Sequence, residues 1–309
     1  MSDTRILVVG AGSTGGYYGG RLMQAGRDVT FLVRPGRRDL LRERGLRVVG
    51  NIASFTVTPS LITADELTGS YDLVLLGVKA TGLAAAVDDL APAVGPDTTI
   101  LPFLNGMGHM DLLNERFGAD RVLGGVAKVA TEVDDAGDIR LLGTLSTLDI
   151  GEQDGGSTER LRRVVDTLAV PGIDLSVSPA ITAAMWHKWV YIVTTSSVTT
   201  LMGGTVADVV SVPGGALLGP AIAREAASIS AAAGYPMPDA MLEALSATVS
   251  TGGAPLTTSL FRDLVAGRAT ETEPMLGAMV RRAEQLSLHT PLIGLALMRM
   301  RVYETRRTA

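Results

Sequence analysis

A short apolar run passes directly into a glycine turn at the start of the chain, Ile6-Leu7-Val8-Val9-Gly10-Ala11-Gly12-Ser13-Thr14-Gly15-Gly16. The pattern is strand, tight turn, helix, with glycines in the spacing Gly10-x-Gly12-x-x-Gly15. The first glycine permits the turn, the second lets backbone approach a pyrophosphate, and the third lets the helix pack closely on the strand. Amide groups and the dipole at the helix N-terminus attract the anion. With 36 glycines in 309 residues, the bare pattern arises by chance roughly 0.5 times per chain, so its position after a Val/Leu strand is what gives it weight. The motif commits the first part of the chain to a dinucleotide-binding α/β fold.

The segments that follow support this. Asp28–Val33 reads as a second strand, and it ends in Arg34-Pro35-Gly36-Arg37-Arg38. In NAD-binding folds this strand end usually carries a carboxylate for the ribose 2′-OH. A guanidinium at Arg34 instead suits a 2′-phosphate, which favours NADP(H), the alternative being a solvated basic turn. Leu46–Val49 and Phe55–Val57 read as short strands. Tyr71–Val78 is a buried parallel strand running into Lys79, and Ala80–Leu90 is helical. Thr98–Leu104 is the next strand, ending in Asn105-Gly106-Met107, with a helix over 109–117. Alternation of this kind predicts a doubly wound sheet with its ligand beyond the strand carboxyl ends, where Gly10–Gly15, Lys79 and Asn105 all fall. From Val122 to Ile150 the pattern predicts antiparallel hairpins that extend the sheet. A helix over 158–168 and a strand over 173–177 follow, with a domain boundary at Ser178-Pro179. The domains are therefore 1–178 and 179–309, the second wholly helical.

Length and composition bound the function. A chain this long buries a large core and divides into two domains. Its net charge of −5 argues against a nucleic-acid or anionic membrane surface. There is no cysteine, hence no disulfide or thiolate nucleophile, which fits a reducing compartment. Residues 1–5 lack the features of a signal peptide, and no apolar run reaches the ~18–20 residues that span a bilayer. The expectation is a cytoplasmic protein, monomer or homodimer. Only Lys79, Lys128 and Lys188 among 27 cationic residues are lysine, and lysine, unlike arginine, can give up a proton.

Within the helical half, Trp186, Trp189, Val190 and Val193 make an apolar face, and Lys188 lies on another face with Ile192, Thr195 and Ser196. On spacing alone Lys188 reads as a solvated surface lysine. Further on, Ser259 and Asp263 precede Thr270-Glu271-Thr272, where Thr270 or Thr272 would cap the following helix and Glu271 would face its dipole. His109, His187 and His289 form no metal constellation.

Taken in order, Gly10-x-Gly12-x-x-Gly15, Arg34, Val78-Lys79, Asn105-Gly106-Met107, Trp186-x-Lys188, Ser259 with Asp263, Thr270-Glu271, Gly277 and Thr290-Pro291 resemble the ketopantoate reductase family over nearly the whole chain. The resemblance implies an N-terminal NADP-binding Rossmann domain, an all-helical C-terminal domain, and an active site in the cleft between them. It further implies an NADP-dependent oxidoreductase that reduces a 2-oxo acid, of the 2-dehydropantoate-to-pantoate type. Lys188 would be the general acid, and Glu271 would contact the substrate and position Lys188. Ser259 would bind the substrate carboxylate, with Ser196 as a further substrate contact. Asn105 would lie beside the nicotinamide, with Lys79, Arg34, Ser13, Thr14 and the glycines on the cofactor. A lysine of ordinary pKa, about 10.4, is protonated at neutral pH and can donate to the developing alkoxide. Two alternatives are a reductase of the 3-hydroxyacid dehydrogenase type and a non-catalytic NADP(H)-sensing protein. The family helix carries asparagines four and eight residues after the lysine, where this chain has Ile192 and Ser196. Isoleucine cannot hydrogen-bond a substrate hydroxyl, so the departure bears on the substrate rather than on the reaction class. Tyr191 and Thr195 are the neighbours available to compensate.

Overall fold

The computed structural model describes residues 4–51, 53–252 and 255–308. The chain forms two compact units, Met1–Leu104 with His109–Thr182, and Asn105–Gly108 with Ala183–Ala309.

In the first unit the elements run β1 (Arg5–Val9), α1 (Ser13–Gln24), β2 (Asp28–Leu32), α2 (Pro35–Arg44), β3 (Leu46–Val49), β4 (Phe55–Val57) and β5 (Ser60–Ile62). They continue as β6 (Leu73–Leu76), α3 (Leu83–Leu90), β7 (Thr99–Pro102), α4 (Gly108–Phe117), β8 (Gly124–Val133), β9 (Ile139–Gly151), α5 (Glu159–Leu168) and β10 (Asp174–Val177). Five strands form a parallel sheet in the order β5-β2-β1-β6-β7. Ile6, Leu7, Val8, Val74, Leu75 and Leu76 are completely buried, as strands covered on both faces require. The chain leaves β1 towards β2 on one side and β6 on the other. The turn after β1 therefore sits at the crevice where the strand order reverses.

The expected hairpin does form, as β8 and β9 with an irregularity between Val129 and Thr131, but it does not extend this sheet. It builds a second sheet in the order β10-β9-β3-β4, with β8 on β9. Its link to the first is a bridge of Ile100 with Val122. Helix α1 explains the separation. A Cβ on Gly19 would stand 2.5 Å from the Phe31 ring, on the first sheet. One on Gly16 would stand 2.5 Å from Ile139 Cδ1, and one on Gly20 2.9 Å from Leu46 Cδ2, both on the second. The side-chain-free turns of α1 thus let a sheet approach from each side. The hydroxyls of Tyr17 and Tyr18 bond the carbonyls of Gly172 and Thr147. Helix α2 lies where the sequence reads only as a basic turn. Pro35 starts it at the position where a missing N–H costs least, and Leu41 is its one buried residue, too few for a visible period.

The second unit contains no strand among its described residues. Its helices are α6 (Ile181–Met202), which begins two residues before the unit does, α7 (Val206–Val210), α8 (Gly215–Ala232), α9 (Asp239–Thr248), α10 (Ser259–Val265), α11 (Ala278–Gln285) and α12 (Pro291–Thr308), with a π-turn over Glu273–Gly277. Helix α6 is buried over most of its length although it carries Thr194-Thr195-Ser196-Ser197 and Thr199-Thr200. Three of these hydroxyls bond carbonyls one turn back: Thr195 to Tyr191, Thr199 to Thr195 and Thr200 to Ser196. Such back-bonding lets a hydroxyl be buried without an outside partner. No described helix is long and apolar enough to cross a membrane, and the described residues hold no group of three His, Asp or Glu side chains suited to a metal ion.

Candidate functional site

In the first unit the glycine turn has the geometry its spacing demands. Gly10 has φ +92°, a conformation an L side chain resists, and its amide donates to the Leu32 carbonyl at 3.0 Å. A Cβ on Gly15 would lie 2.3 Å from the Gly10 carbonyl oxygen, whereas one on Gly12 would meet nothing nearer than 3.9 Å. The third glycine is thus required by packing, and the second leaves open space above the turn. Gly12 caps α1 without a side-chain hydrogen bond, and the first turn holds no acidic residue. The amides of Ser13, Thr14 and Gly15 lack intrahelical acceptors and share the positive end of the dipole. This cradle fits a pyrophosphate.

Three arginines follow β2, and they have different duties. Arg37 donates Nε and Nη2 to the Ala11 carbonyl at 3.1 and 2.9 Å, and Nη1 to that of Gly137 at 2.9 Å. Its burial lowers its pKa, with Asp138 opposing. Arg38 pairs with Glu66 at 3.0 Å. Arg34 is exposed, and its Nη2 lies 3.5 Å from where a Cβ on Gly82 would stand. Gly82 ends the short turn that Lys79 opens, its amide donating to the Lys79 carbonyl. The glycine turn, Arg34 and Lys79 therefore follow the carboxyl ends of three adjacent strands, β1, β2 and β6. The clamp of Arg37 on Ala11 escaped sequence reasoning, because Arg37 and Arg38 are interchangeable in composition and only the fold brings one beneath the turn.

In the second unit, Asn105, Ile192, Ser196, Ser259, Leu260, Asp263, Glu271 and Met275 line one cleft of about 290 Å³, counted out to open solvent. Asn105 is delivered by a turn in which Gly106 has φ +82° and packs on Trp189 and the Pro274 carbonyl. Trp189 is buried, and its indole N–H donates to the Met275 carbonyl at 3.2 Å. That bond ties the π-turn, and with it Glu271 and Met275, to α6. Thr258 caps α10 by accepting from the Phe261 amide. This starts the helix at Ser259 and puts Asp263 one turn later on the same face.

The threonines flanking Glu271 are not helix caps. The Thr270 amide and hydroxyl both donate to Glu304 Oε1, at 2.8 and 2.6 Å, and the Thr270 and Thr272 hydroxyls lie 2.6 Å apart. Thr272 makes no capping bond. A carboxylate on α12 outcompetes the local helix terminus because it accepts from both the amide and the buried hydroxyl of Thr270.

Ser196 is only 1% exposed, and its Oγ has no hydrogen-bond partner among the described residues. The Thr195 hydroxyl donates to the Tyr191 carbonyl. Lys188 is half-buried, has a partner, and lies one turn before Ile192 on the same face of α6. It is not among the lining residues. The cleft thus gathers Asn105, Ser196, Ser259 and Glu271, and adds Leu260 and Met275, which no sequence signal marked.

The family model for ketopantoate reductase PanE/ApbA matches residues 6–155, and that for its C-terminal domain matches residues 180–304. The chain is 30% identical over 303 residues to YkpB of Bacillus subtilis, an uncharacterised oxidoreductase, covering 98% of this chain and all of that one. It is 27% identical to the 2-dehydropantoate 2-reductase of Mesorhizobium japonicum, covering 95% of each. A ternary structure of D-mandelate dehydrogenase with NADH and anilino(oxo)acetate superposes with TM-score 0.89 at 20% identity, over 99% of this chain and all of the other, a likeness of fold.

Proposed function

The chain belongs to the ketopantoate reductase family of oxidoreductases, and on that premise we propose that it reduces a small 2-oxo acid to the 2-hydroxy acid with NADPH. One observation carries the reading. Four side chains far apart in sequence, Asn105, Ser196, Ser259 and Glu271, line a single cleft, and their chemistry matches what a 2-oxo acid needs. In this reading the glycine turn holds the pyrophosphate on the amides of Ser13, Thr14 and Gly15, and Arg34 and Lys79 hold the remaining phosphate charge. Bound there, NADPH supplies the hydride for the ketone carbon.

The protein side of the reaction falls to the second unit. Ser259 and Ser196 donate to the carboxylate, and Asn105 orients the reacting carbonyl. Lys188 stabilises the alkoxide by charge and then transfers its proton to that oxygen, while Glu271 orients the ammonium. Preorganised charge at a developing oxyanion is usually the largest catalytic term, and proton donation adds to it.

An NADPH-oxidation assay over a panel of 2-oxo acids tests this, with the 2-hydroxy acid identified in equal amount. Replacing Lys188 by Ala is expected to lower kcat by ~10²–10⁴ while leaving NADPH affinity within twofold. Tight NADPH binding without turnover of any 2-oxo acid would contradict the proposal.

A further inference from the structure

We infer that the cleft selects 2-oxo acids whose substituent is a hydrocarbon, and that Ile192 sets this preference; the inference rests on the reductase reading above. Along α6 the residues Lys188, Ile192 and Ser196 form one stripe. At a rise of 1.5 Å per residue, Ile192 stands about 6 Å and Ser196 about 12 Å beyond Lys188. The cleft has an apolar set, Ile192, Leu260 and Met275, the last two 4% and 5% exposed. Its neutral donors are the Asn105 amide and the hydroxyls of Ser196 and Ser259. A carboxylate and a ketone together present three oxygens, which absorb these donors, including the Ser196 hydroxyl that has no partner among the described residues. Asp263 and Glu271 each have an interaction within the chain.

A substrate hydroxyl against Ile192 gives up water and gains no hydrogen bond from that side chain, whereas a methyl group there keeps its contacts. An apolar site rejects an isostere with an added hydroxyl only moderately, by up to about 10². A site built to bond that hydroxyl rejects its absence far more strongly.

A matched pair isolates the effect: 3,3-dimethyl-2-oxobutanoate and its 4-hydroxy derivative differ by one oxygen. The expected kcat/KM favours the unhydroxylated acid by about 10–100-fold. Ile192→Asn should shift that ratio at least tenfold towards the hydroxylated acid, and Ile192→Thr should shift it the same way by less. Unchanged helical circular dichroism and Tm in both variants verify their folding. A preference of the unaltered chain for the hydroxylated acid, or a ratio unmoved in both variants, would overturn the inference. Calorimetry of the two corresponding 2-hydroxy acids on the NADP⁺-bound chain reads the same preference without turnover. Tighter binding of the unhydroxylated acid without any turnover supports the inference and contradicts the reductase reading. Equal binding of the two overturns the inference itself.

Discussion

Arg34, Arg37 and Arg38 stand within five residues of one another and do three different things. Arg37 and Arg38 are spent on the Ala11 carbonyl and on Glu66, and Arg34 remains at the rim with its guanidinium exposed. Replacing Arg34 by Asp should weaken NADPH binding at least tenfold more than NADH binding, measured by fluorescence titration, because a repelled 2′-phosphate replaces an attracted one. Arg37→Ala should instead weaken both cofactors alike and lower Tm, since it frees the turn itself. The sequence identifies Arg34 by its place after the strand, but the clamp of Arg37 depends on a carbonyl brought near by the sheet, which spacing does not encode. Ser196 offers a second contrast. Its hydroxyl is buried without a partner among the described residues, and an unmade hydrogen bond of this kind costs about 1–3 kcal/mol. Ser196→Ala should accordingly leave Tm unchanged or raise it, while raising KM for the 2-oxo acid.

At the scale of elements, the π-turn and α12 hold Glu271 in place through Thr270, Thr272 and Glu304. Burial pushes the Glu304 carboxyl up, but the hydrogen bonds from Thr270 and Arg307 outweigh it and hold the pKa below the usual 4.5. A depressed carboxyl stabilises the fold fully above its ordinary value and loses that contribution as pH falls through the folded value. The Tm advantage of the unaltered chain over Glu304→Gln should thus be constant near neutrality and shrink below about pH 4.5. A difference independent of pH would show that the charge on Glu304 does not matter. Helix α6 was legible as a helix because Trp186, Trp189, Val190 and Val193 repeat at helical spacing. The separate second sheet was not, because alternation in β8 and β9 marks strands but not their partners. The room that Gly16 and Gly20 leave on α1 decides that pairing.

Across the whole molecule, the parallel sheet and its glycine turn were written locally, in a strand, a turn and a helix adjacent in sequence. The substrate side was written otherwise. Its cleft draws on residue 105, residues 192–196, 259–263 and 271–275; a strand end marked Asn105 beforehand, and family resemblance, not periodicity, gave Ser259 and Glu271 their roles. Leu260 and Met275 carry no mark in the sequence, since an apolar side chain looks the same there whether it faces a ligand or a neighbour. The central claim is transfer of hydride from NADPH to a 2-oxo acid. Incubating the chain with a 2-oxo acid and NADPH deuterated at the transferable C4 position tests it most directly. The account predicts one deuterium at C2 of the 2-hydroxy acid for each NADPH consumed; NADPH consumed with no deuterium at C2, or no product from any 2-oxo acid, would contradict it.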